Sequence, residues 1–333
     1  MARPFCFCKF ERRTQNHEHK MPVSNHSIIP AILWSIILFF AAVFLPPCQA
    51  GADEPEEFQA AIVVSRHIKP YMDALKGLRE SLTDSVRVEQ KVYILEQHDL
   101  EHPDRLIKEL SGQNPDVIVS IGPEATSLAW SVSANTGVPT VHSMILNPEV
   151  LAGDDHQPGC GISLGIPVAN QLQDIRNALP GVNRLGILYD PEINHSFVSQ
   201  ALESSSFNGL QVIPLSVSSS REVPDTLGAG WTRMDALWLI PDQTVISQTL
   251  VEYIIKEALF QKKPVIGYNR FFYDSGAAVA FAFNFEQIGR QTAAVAVDRL
   301  RGISCEKMVP SYEVLINHRV VQRLGVEASE VNP

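Results

Sequence analysis

The chain has 333 residues, with 27 basic and 37 acidic side chains and a formal net charge of −10 at pH 7. A chain of this length predicts about two domains. The acidic balance argues against binding to nucleic acid, which needs basic side chains to neutralise phosphates.

Residues 1–50 have the pattern of an export signal rather than of a folded domain. Basic side chains are followed by an apolar block at 28–45 and then by small residues. This order predicts a secretory signal peptide that is cleaved near Ala50, and Met21 is an alternative start. A retained membrane anchor and a lipid anchor on Cys48 are the other interpretations. We expect the protein in the periplasm or outside the cell.

Cleavage near Ala50 would leave two cysteines, Cys160 and Cys305. It would also leave 22 basic and 35 acidic residues, a net charge of −13. Two cysteines cannot form a disulfide-rich scaffold, nor a cysteine-based zinc site without further ligands. A single bridge can form in an oxidising compartment, but we expect two separate thiols.

The body of the chain alternates between short apolar runs and segments with helical spacing. In chain order, the first half predicts strand 60–65, helix 69–82, strand 86–96, helix 103–113, strand 115–122, helix 123–135 and strand 138–146. After a break near 155–168, the second half predicts helix 169–181, strand 184–190, helix 196–207, strand 210–217, strand 235–242, helix 243–261, strand 263–269, helix 285–302, and a strand with a short helix in 311–326. Such alternation indicates parallel sheets with helices on both faces.

The two halves predict two α/β lobes of similar plan, each a doubly wound parallel sheet. We expect the N-terminal lobe to comprise 58–165 plus about 285–308. The C-terminal lobe would comprise 166–284 plus about 309–333, with a hinge where the chain passes between the lobes.

Ligands of open α/β sheets bind beyond the carboxyl ends of the strands. Six residues close apolar strands and should surround one opening: Ser65, Gly122, Asn147, Asp190, Asp242 and Tyr268. Tyr71, in the helix after Ser65, belongs to the same expected ligand-binding set.

Six stretches of the body, taken in order, match one known family. They lie at 119–130, 138–153, 179–196, 235–246, 263–293 and 314–326. In their order and spacing they resemble the ABC-transporter substrate-binding protein family whose better-known members bind tryptophan or tyrosine. The resemblance implies a type I periplasmic-binding fold, capture of a solute outside the cytoplasm and delivery to the membrane subunits of a permease.

We therefore expect a monomeric binding protein, not an enzyme, that needs no cofactor and no metal. Its ligand would be a small polar or aromatic molecule such as an amino acid. The alternative from another class is a sensor of the same fold, which would report its ligand to a membrane receptor or histidine kinase.

The Gly122–Pro123 junction ends a strand and begins a helix, whose first turn suits proline. Free N–H groups of Ala125 and Thr126 could bind an anionic group there, or the helix is simply well capped. Glu124 either stabilises the helix tip or selects a cationic ligand. The family more often has a small or polar residue at the position of Glu124, and often Asp where this chain has Asn147.

The second lobe offers a second acid besides Asp190, and several aromatic residues. Asp242 could bind an ammonium group, or it caps the helix predicted from 243. Tyr268, Asn269 and Phe271 follow another strand and could form an aromatic wall for a flat ring. Adjacent aromatic residues are also common in a plain core.

Two motifs suggest chemistry but lie in unsuitable settings. The G-x-S-x-G pattern at 161–165 follows a polar loop and precedes Pro167, so we interpret it as a crossover strand between lobes and not as a nucleophile elbow. The H-x-x-E-H pattern at 98–102 is followed by Pro103, which disfavours helix at the preceding residue. We expect a solvated loop there instead of a zinc site.

Overall fold

The computed structural model describes residues 57–153, 157–205 and 209–330. By its contacts the chain divides into two units, 1–54 and 55–333, and the described residues belong to the second. The predicted signal peptide lies outside them. Within the described ranges, no helix is both long and apolar enough to cross a membrane.

The first half of the body forms a five-stranded parallel sheet. Its strands are β1 (Phe58–Val64), β2 (Val88–Ile94), β3 (Val117–Ile121), β4 (Thr140–Ile145) and β5 (Cys160–Ser163). The helices are α1 (Lys69–Ser85), α2 (Gln97–Glu101), α3 (Asp104–Gln113), α4 (Pro123–Thr136) and α5 (Pro148–Ala152). The strand order is β2-β1-β3-β4-β5.

The second half forms a six-stranded sheet. Its strands are β6 (Arg184–Tyr189), β7 (Gln211–Ser216), β8 (Ala236–Leu239), β9 (Val265–Gly267), β10 (Val279–Phe283) and β11 (Tyr312–Ile316). The helices are α6 (Val168–Ala178), α7 (Pro191–Ser205), α8 (Val223–Gly230), α9 (Gln248–Phe260), α10 (Arg270–Asp274), α11 (Phe285–Leu300) and α12 (His318–Leu324). The strand order is β11-β10-β9-β8-β6-β7, and the β10–β11 pair is antiparallel.

Helices cover both faces of each sheet, as the buried strand β1 illustrates. Ile62 and Val64 pack in the core that includes α1 and α11. Ala61 and Val63 point to the opposite face and pack in the core that includes α3 and α4. A strand that is buried on both faces needs a continuous apolar sequence, and this confirms the predicted α/β lobes with doubly wound, mainly parallel sheets.

Helices α1 and α11 pack backbone against backbone through two glycines. A β-carbon at Gly77 would overlap the carbonyl oxygen of Glu286, and one at Gly289 would overlap that of Ala74. Both glycines lie inside helices, where alanine is the better helix former. The close approach of the helices therefore explains why glycine stands at these positions.

In the second half one predicted helix needs correction, and the strand β10 was missed. The helix predicted over 243–261 begins only at Gln248, where the side chain of Ser247 accepts a hydrogen bond from Leu250 N. The strand β10 was not predicted, because its short apolar run follows a loop and leads directly into the helix predicted from 285.

The interpretation of one of the two motifs also changes in detail. Residues 97–101 form the short helix α2 and not a loop, since Glu96 and Asp99 form a capping box; the helix ends before His102, as Pro103 requires. Residues 160–163 form the edge strand β5 of the first sheet, paired in parallel with β4. Ile166 and Val168 already pack in the core of the second sheet, so the strand leads from one sheet to the other, as expected of a crossover strand. No group of three or more potential metal-ligating side chains occurs in the described part of the chain.

The expectation of two separate thiols is wrong. Cys160 and Cys305 form a disulfide across 145 residues of sequence, with Cα atoms 5.8 Å apart. Strand β5 supplies one cysteine, and the segment between α11 and β11 supplies the other. The fold brings these two segments together, which their distance in sequence could not indicate.

Candidate functional site

Each sheet has a point where its winding direction reverses. In the first sheet β2 lies on one side of β1 and β3 on the other; in the second, β7 and β8 lie on opposite sides of β6. Open α/β sheets bind ligands at such points, beyond the carboxyl ends of the strands. In the first sheet Ser65 follows β1 and Gly122 follows β3. In the second, Asp190 follows β6 and Asp242 follows β8.

The first reversal point is tightly built around Gly122. Its φ angle is +94°, and a β-carbon there would lie 2.6 Å from Ser65 Oγ and 2.9 Å from the ring of Tyr71. Both features require glycine. Three of the predicted residues, Ser65, Tyr71 and Gly122, are therefore in mutual proximity.

The expectation of free N–H groups at the tip of α4 needs correction. Ala125 N donates to Ser65 Oγ at 2.9 Å, and Thr126 N donates to the carbonyl of Gly122 at 3.1 Å. The Thr126 hydroxyl donates to the same carbonyl and shares a hydrogen bond with Ser120 Oγ. Ala125 and Thr126 are fully buried, so the protein itself satisfies these donors.

Glu124 pairs with Arg66, a residue that the sequence patterns did not single out. Arg66 Nη2 lies 2.6 Å from Glu124 Oε1, and the two side chains are 63% and 28% exposed. Partial burial acts to raise the pKa of Glu124, but hydrogen bonds from its own backbone N–H, from Arg66 and from Ser65 outweigh it and lower the pKa below its usual value. Burial, and then the charge of Glu124, raise the pKa of Tyr71, so its phenol is neutral.

The second reversal point holds two carboxylates in one hydrogen-bond network. Asp242 accepts from Asp190 N at 2.7 Å, from Asn194 Nδ2 at 2.8 Å and from Thr244 N at 3.0 Å. Asp190 accepts from Thr244 Oγ1 at 2.8 Å and from Glu192 N at 3.0 Å. Asp242 is therefore the centre of a turn and does not cap the helix, which begins at Gln248.

Asn194 and Thr244 belong to this network but were missed from the sequence. Asn194 interrupts the helical geometry of α7, with φ −120° and ψ 21°, and this kink lets its amide reach both Asp242 and the carbonyl of Pro241. Thr244 stands two residues after Asp242, a spacing typical of turns that a side-chain carboxylate closes. That spacing could have indicated its role.

Aromatic side chains and an unsatisfied amide follow β9. The ring centroids of Tyr268 and Phe272 are 4.6 Å apart, and Phe271 lies edge-on to Phe272 and is 39% exposed. Burial raises the pKa of Tyr268 to about 12. Asn269 Oδ1 is buried and has no hydrogen-bond partner among the described residues. Asn147 is exposed at the start of α5.

The two reversal points are internally connected but not bonded to each other. In residues 57–153, 157–205 and 209–330, no hydrogen bond or ion pair joins the group around Gly122 to the group around Asp242. The opening that these groups are expected to share remains a prediction.

Two α/β lobes whose mainly parallel sheets each present a polar reversal point define a solute-binding protein of the type I periplasmic class. A sequence model of the ABC transporter substrate binding protein matches residues 62–331, and the chain belongs to this family. Substrate-binding proteins of this family are extracytoplasmic and work with ABC permeases.

One relative by sequence and two solved structures are similar to the chain. The chain is 21% identical over 243 residues to a tyrosine-binding protein of Clostridioides difficile strain R20291, covering 69% of each chain. It is similar to a ligand-free, open substrate-binding protein with adhesive properties from Clostridium difficile, with TM-score 0.67, 19% identity and coverage of 82% of this chain and 96% of that one. It is also similar to a domain from Streptococcus pneumonia in complex with L-Trp, with TM-score 0.53, 19% identity and coverage of 83% and 97%.

Proposed function

We propose that the protein captures a small zwitterionic solute with an aromatic side chain, such as tyrosine or tryptophan, between its lobes and delivers it to an ABC permease. The observation that carries this proposal is the pair of buried carboxylates, Asp190 and Asp242. Within the described residues, these carboxylates accept hydrogen bonds from neutral groups, and no ion pair includes either of them.

A buried carboxylate is costly unless a positive charge compensates it. Here two carboxylates share one network, so an ammonium group on the ligand would neutralise charge that the protein leaves uncompensated. Asp190 is 7% exposed and Asp242 only 1%, and Asp242 accepts more hydrogen bonds. Asp190 is therefore the better direct contact, and Asp242 holds the backbone of Asp190 and the turn in place.

The groups after β9 suit the rest of such a solute. Phe271 and Tyr268 offer aromatic surface next to the carboxylates, since β9 is the neighbour of β8, and aromatic rings prefer to pack on each other. The unsatisfied Asn269 Oδ1 could accept a hydrogen bond from the ligand, which would remove the cost of burying it alone. Relatives described as tyrosine-binding, or bound to L-Trp, support this choice of solute.

The first lobe would close on the ligand with the junction at Gly122. Tyr71, which is partly exposed, would contribute to its surface, and the buried residues Ser65, Gly122, Ala125 and Thr126 would support it. Asn147 would lie on the rim. We propose lobes of 58–165 plus about 285–308 and of 166–284 plus about 309–333, because α11 packs with α1 while β11 pairs with β10. Closure of two lobes around a hinge is a common way to bury a ligand.

Loss of the charge of Asp190 should weaken ligand binding. In Asp190→Asn the amide can still bond to Thr244, because a hydroxyl can also accept. We expect the affinity for L-tyrosine or L-tryptophan to fall by about 1.5–3 kcal/mol, the usual worth of a hydrogen bond to a charged group. Isothermal titration calorimetry of the wild type and the variant measures this change.

Glu257→Gln is the matched control for this experiment. It removes one negative charge from the last turn of α9 in the same lobe, but at the amino end of β9 and therefore away from the carboxyl ends of the strands. Its affinity should equal that of the wild type. Equal affinity in Asp190→Asn and Glu257→Gln would show that the carboxylates serve only the fold.

A further inference from the structure

The tip of α4 already holds an anion, and that anion belongs to the protein. Pro123 has no N–H, and the Glu124 carboxylate accepts a hydrogen bond from the backbone N–H of its own residue. The N–H of Ala125 donates to Ser65 Oγ, and that of Thr126 donates to the carbonyl of Gly122. Helix N-termini attract negative groups through these donors. Since the Glu124 carboxylate occupies this position, the helix tip has no free donor for a carboxylate of the ligand.

Arg66 is a cation that lies next to this tip. It follows Ser65 at the carboxyl end of β1, and its hydrogen bond from Nη2 to Glu124 uses only one of the five N–H donors of a guanidinium. Its side chain is 63% exposed. An exposed ion pair adds little to stability. A contribution to the stability of the fold therefore does not explain why Arg66 is paired with Glu124.

The pair is also placed where charge matters for a ligand. Arg66 lies at the reversal point of the first sheet, whereas Asp190 and Asp242 lie at that of the second. One lobe thus presents a cation beyond the ends of its strands and the other presents two carboxylates. A zwitterionic molecule has the complementary arrangement of charges.

We propose that Arg66 binds the carboxylate of the ligand and that Glu124 positions the guanidinium for this task. This assignment rests on the proposed function, and it adds the residue that selects ligands with a free acid group. A guanidinium can donate two parallel hydrogen bonds to a carboxylate while it keeps a third to Glu124. Glu124 therefore acts through Arg66 and not through contact with the ligand.

A matched pair of ligands tests the assignment. L-tryptophan and L-tryptophanamide share the ring and the amine, but the amide lacks the carboxylate. The wild type should bind L-tryptophan about 10- to 100-fold more tightly than the amide. Arg66→Gln should bind L-tryptophan about 10- to 100-fold more weakly than the wild type does. Its affinity for L-tryptophanamide should equal that of the wild type, so that the preference for the acid disappears.

Two further variants separate charge loss from misfolding and positioning. Arg79→Gln removes a positive charge from the exposed surface of α1 and should keep the full preference. Glu124→Gln should lower the preference less than Arg66→Gln does, because the guanidinium is still present but less well held. Thermal unfolding of each variant verifies that it is folded.

The outcomes are distinguishable. If the wild type binds neither L-tryptophan nor L-tyrosine, the proposed solute is wrong, and this assignment falls with it. If it binds only L-tyrosine, L-tyrosine and L-tyrosinamide take the place of the tryptophan pair in the same comparison. If the wild type prefers L-tryptophan and Arg66→Gln retains that preference, the solute stands and the role of Arg66 is refuted. If the wild type binds L-tryptophan and L-tryptophanamide equally well, no group in the protein recognises the carboxylate of the ligand. The role of Arg66 is then also refuted.

Discussion

Loss of the Cys160–Cys305 disulfide should lower the free energy of unfolding by about 3–5 kcal/mol. The bridge closes a loop of 145 residues, and the chain entropy that a cross-link removes from the unfolded state grows with loop length. It also joins the edge strand β5 to the segment that leads from α11 to β11. Urea unfolding of Cys160→Ser/Cys305→Ser beside the oxidised wild type measures the difference.

A reducing agent provides the matched control. The wild type should lose the same stability when the agent is added, whereas the double variant should not respond. This comparison also removes any contribution of the other three cysteines of the chain. Equal midpoints for the oxidised wild type and the double variant would show that the bridge does not constrain the unfolded chain.

Gly289→Ala should destabilise the protein by about 3 kcal/mol, the upper end of the usual cost of overpacking. The new β-carbon would overlap the carbonyl oxygen of Ala74, and the atoms in its way belong to the backbone of α1. These atoms cannot move without separating α1 from α11, which together cover one face of the first sheet. The better helix propensity of alanine offsets only about 1 kcal/mol of this cost.

Gly228→Ala is the control for this substitution. Gly228 lies in α8, and a β-carbon there would meet no atom within 4 Å, so the change should be neutral or stabilising by up to about 1 kcal/mol. Urea unfolding of both variants gives the comparison. A Gly289→Ala protein as stable as Gly228→Ala would mean that the two helices are not in backbone contact.

Local patterns in the sequence were sufficient to predict most of the fold. The apolar run of β1 indicated a strand buried on both faces, and the Gly122–Pro123 junction indicated a strand that passes directly into a helix. Because ligands of such sheets bind beyond the strand ends, Ser65, Asp190 and Asp242 could be chosen as candidates from the sequence alone. These inferences use only neighbouring residues.

The remaining features depend on contacts between residues far apart in sequence. Arg66 and Glu124 are separated by 58 positions, and Cys160 and Cys305 by 145, so no periodicity joins them. The hydrogen bond from Ala125 N to Ser65 Oγ could not be predicted for the same reason. The sequence therefore suggested a helix tip open to a ligand, whereas the folded chain fills that tip with its own carboxylate.

The central claim is that the protein binds a small zwitterionic solute. Native mass spectrometry of protein purified from its own cells, without denaturation and without added ligand, tests this most directly. We expect a bound molecule at one copy per chain, released on unfolding, whose fragments show an amine, a carboxylate and an aromatic ring. A retained molecule with neither charged group, such as a neutral sugar, would contradict the account.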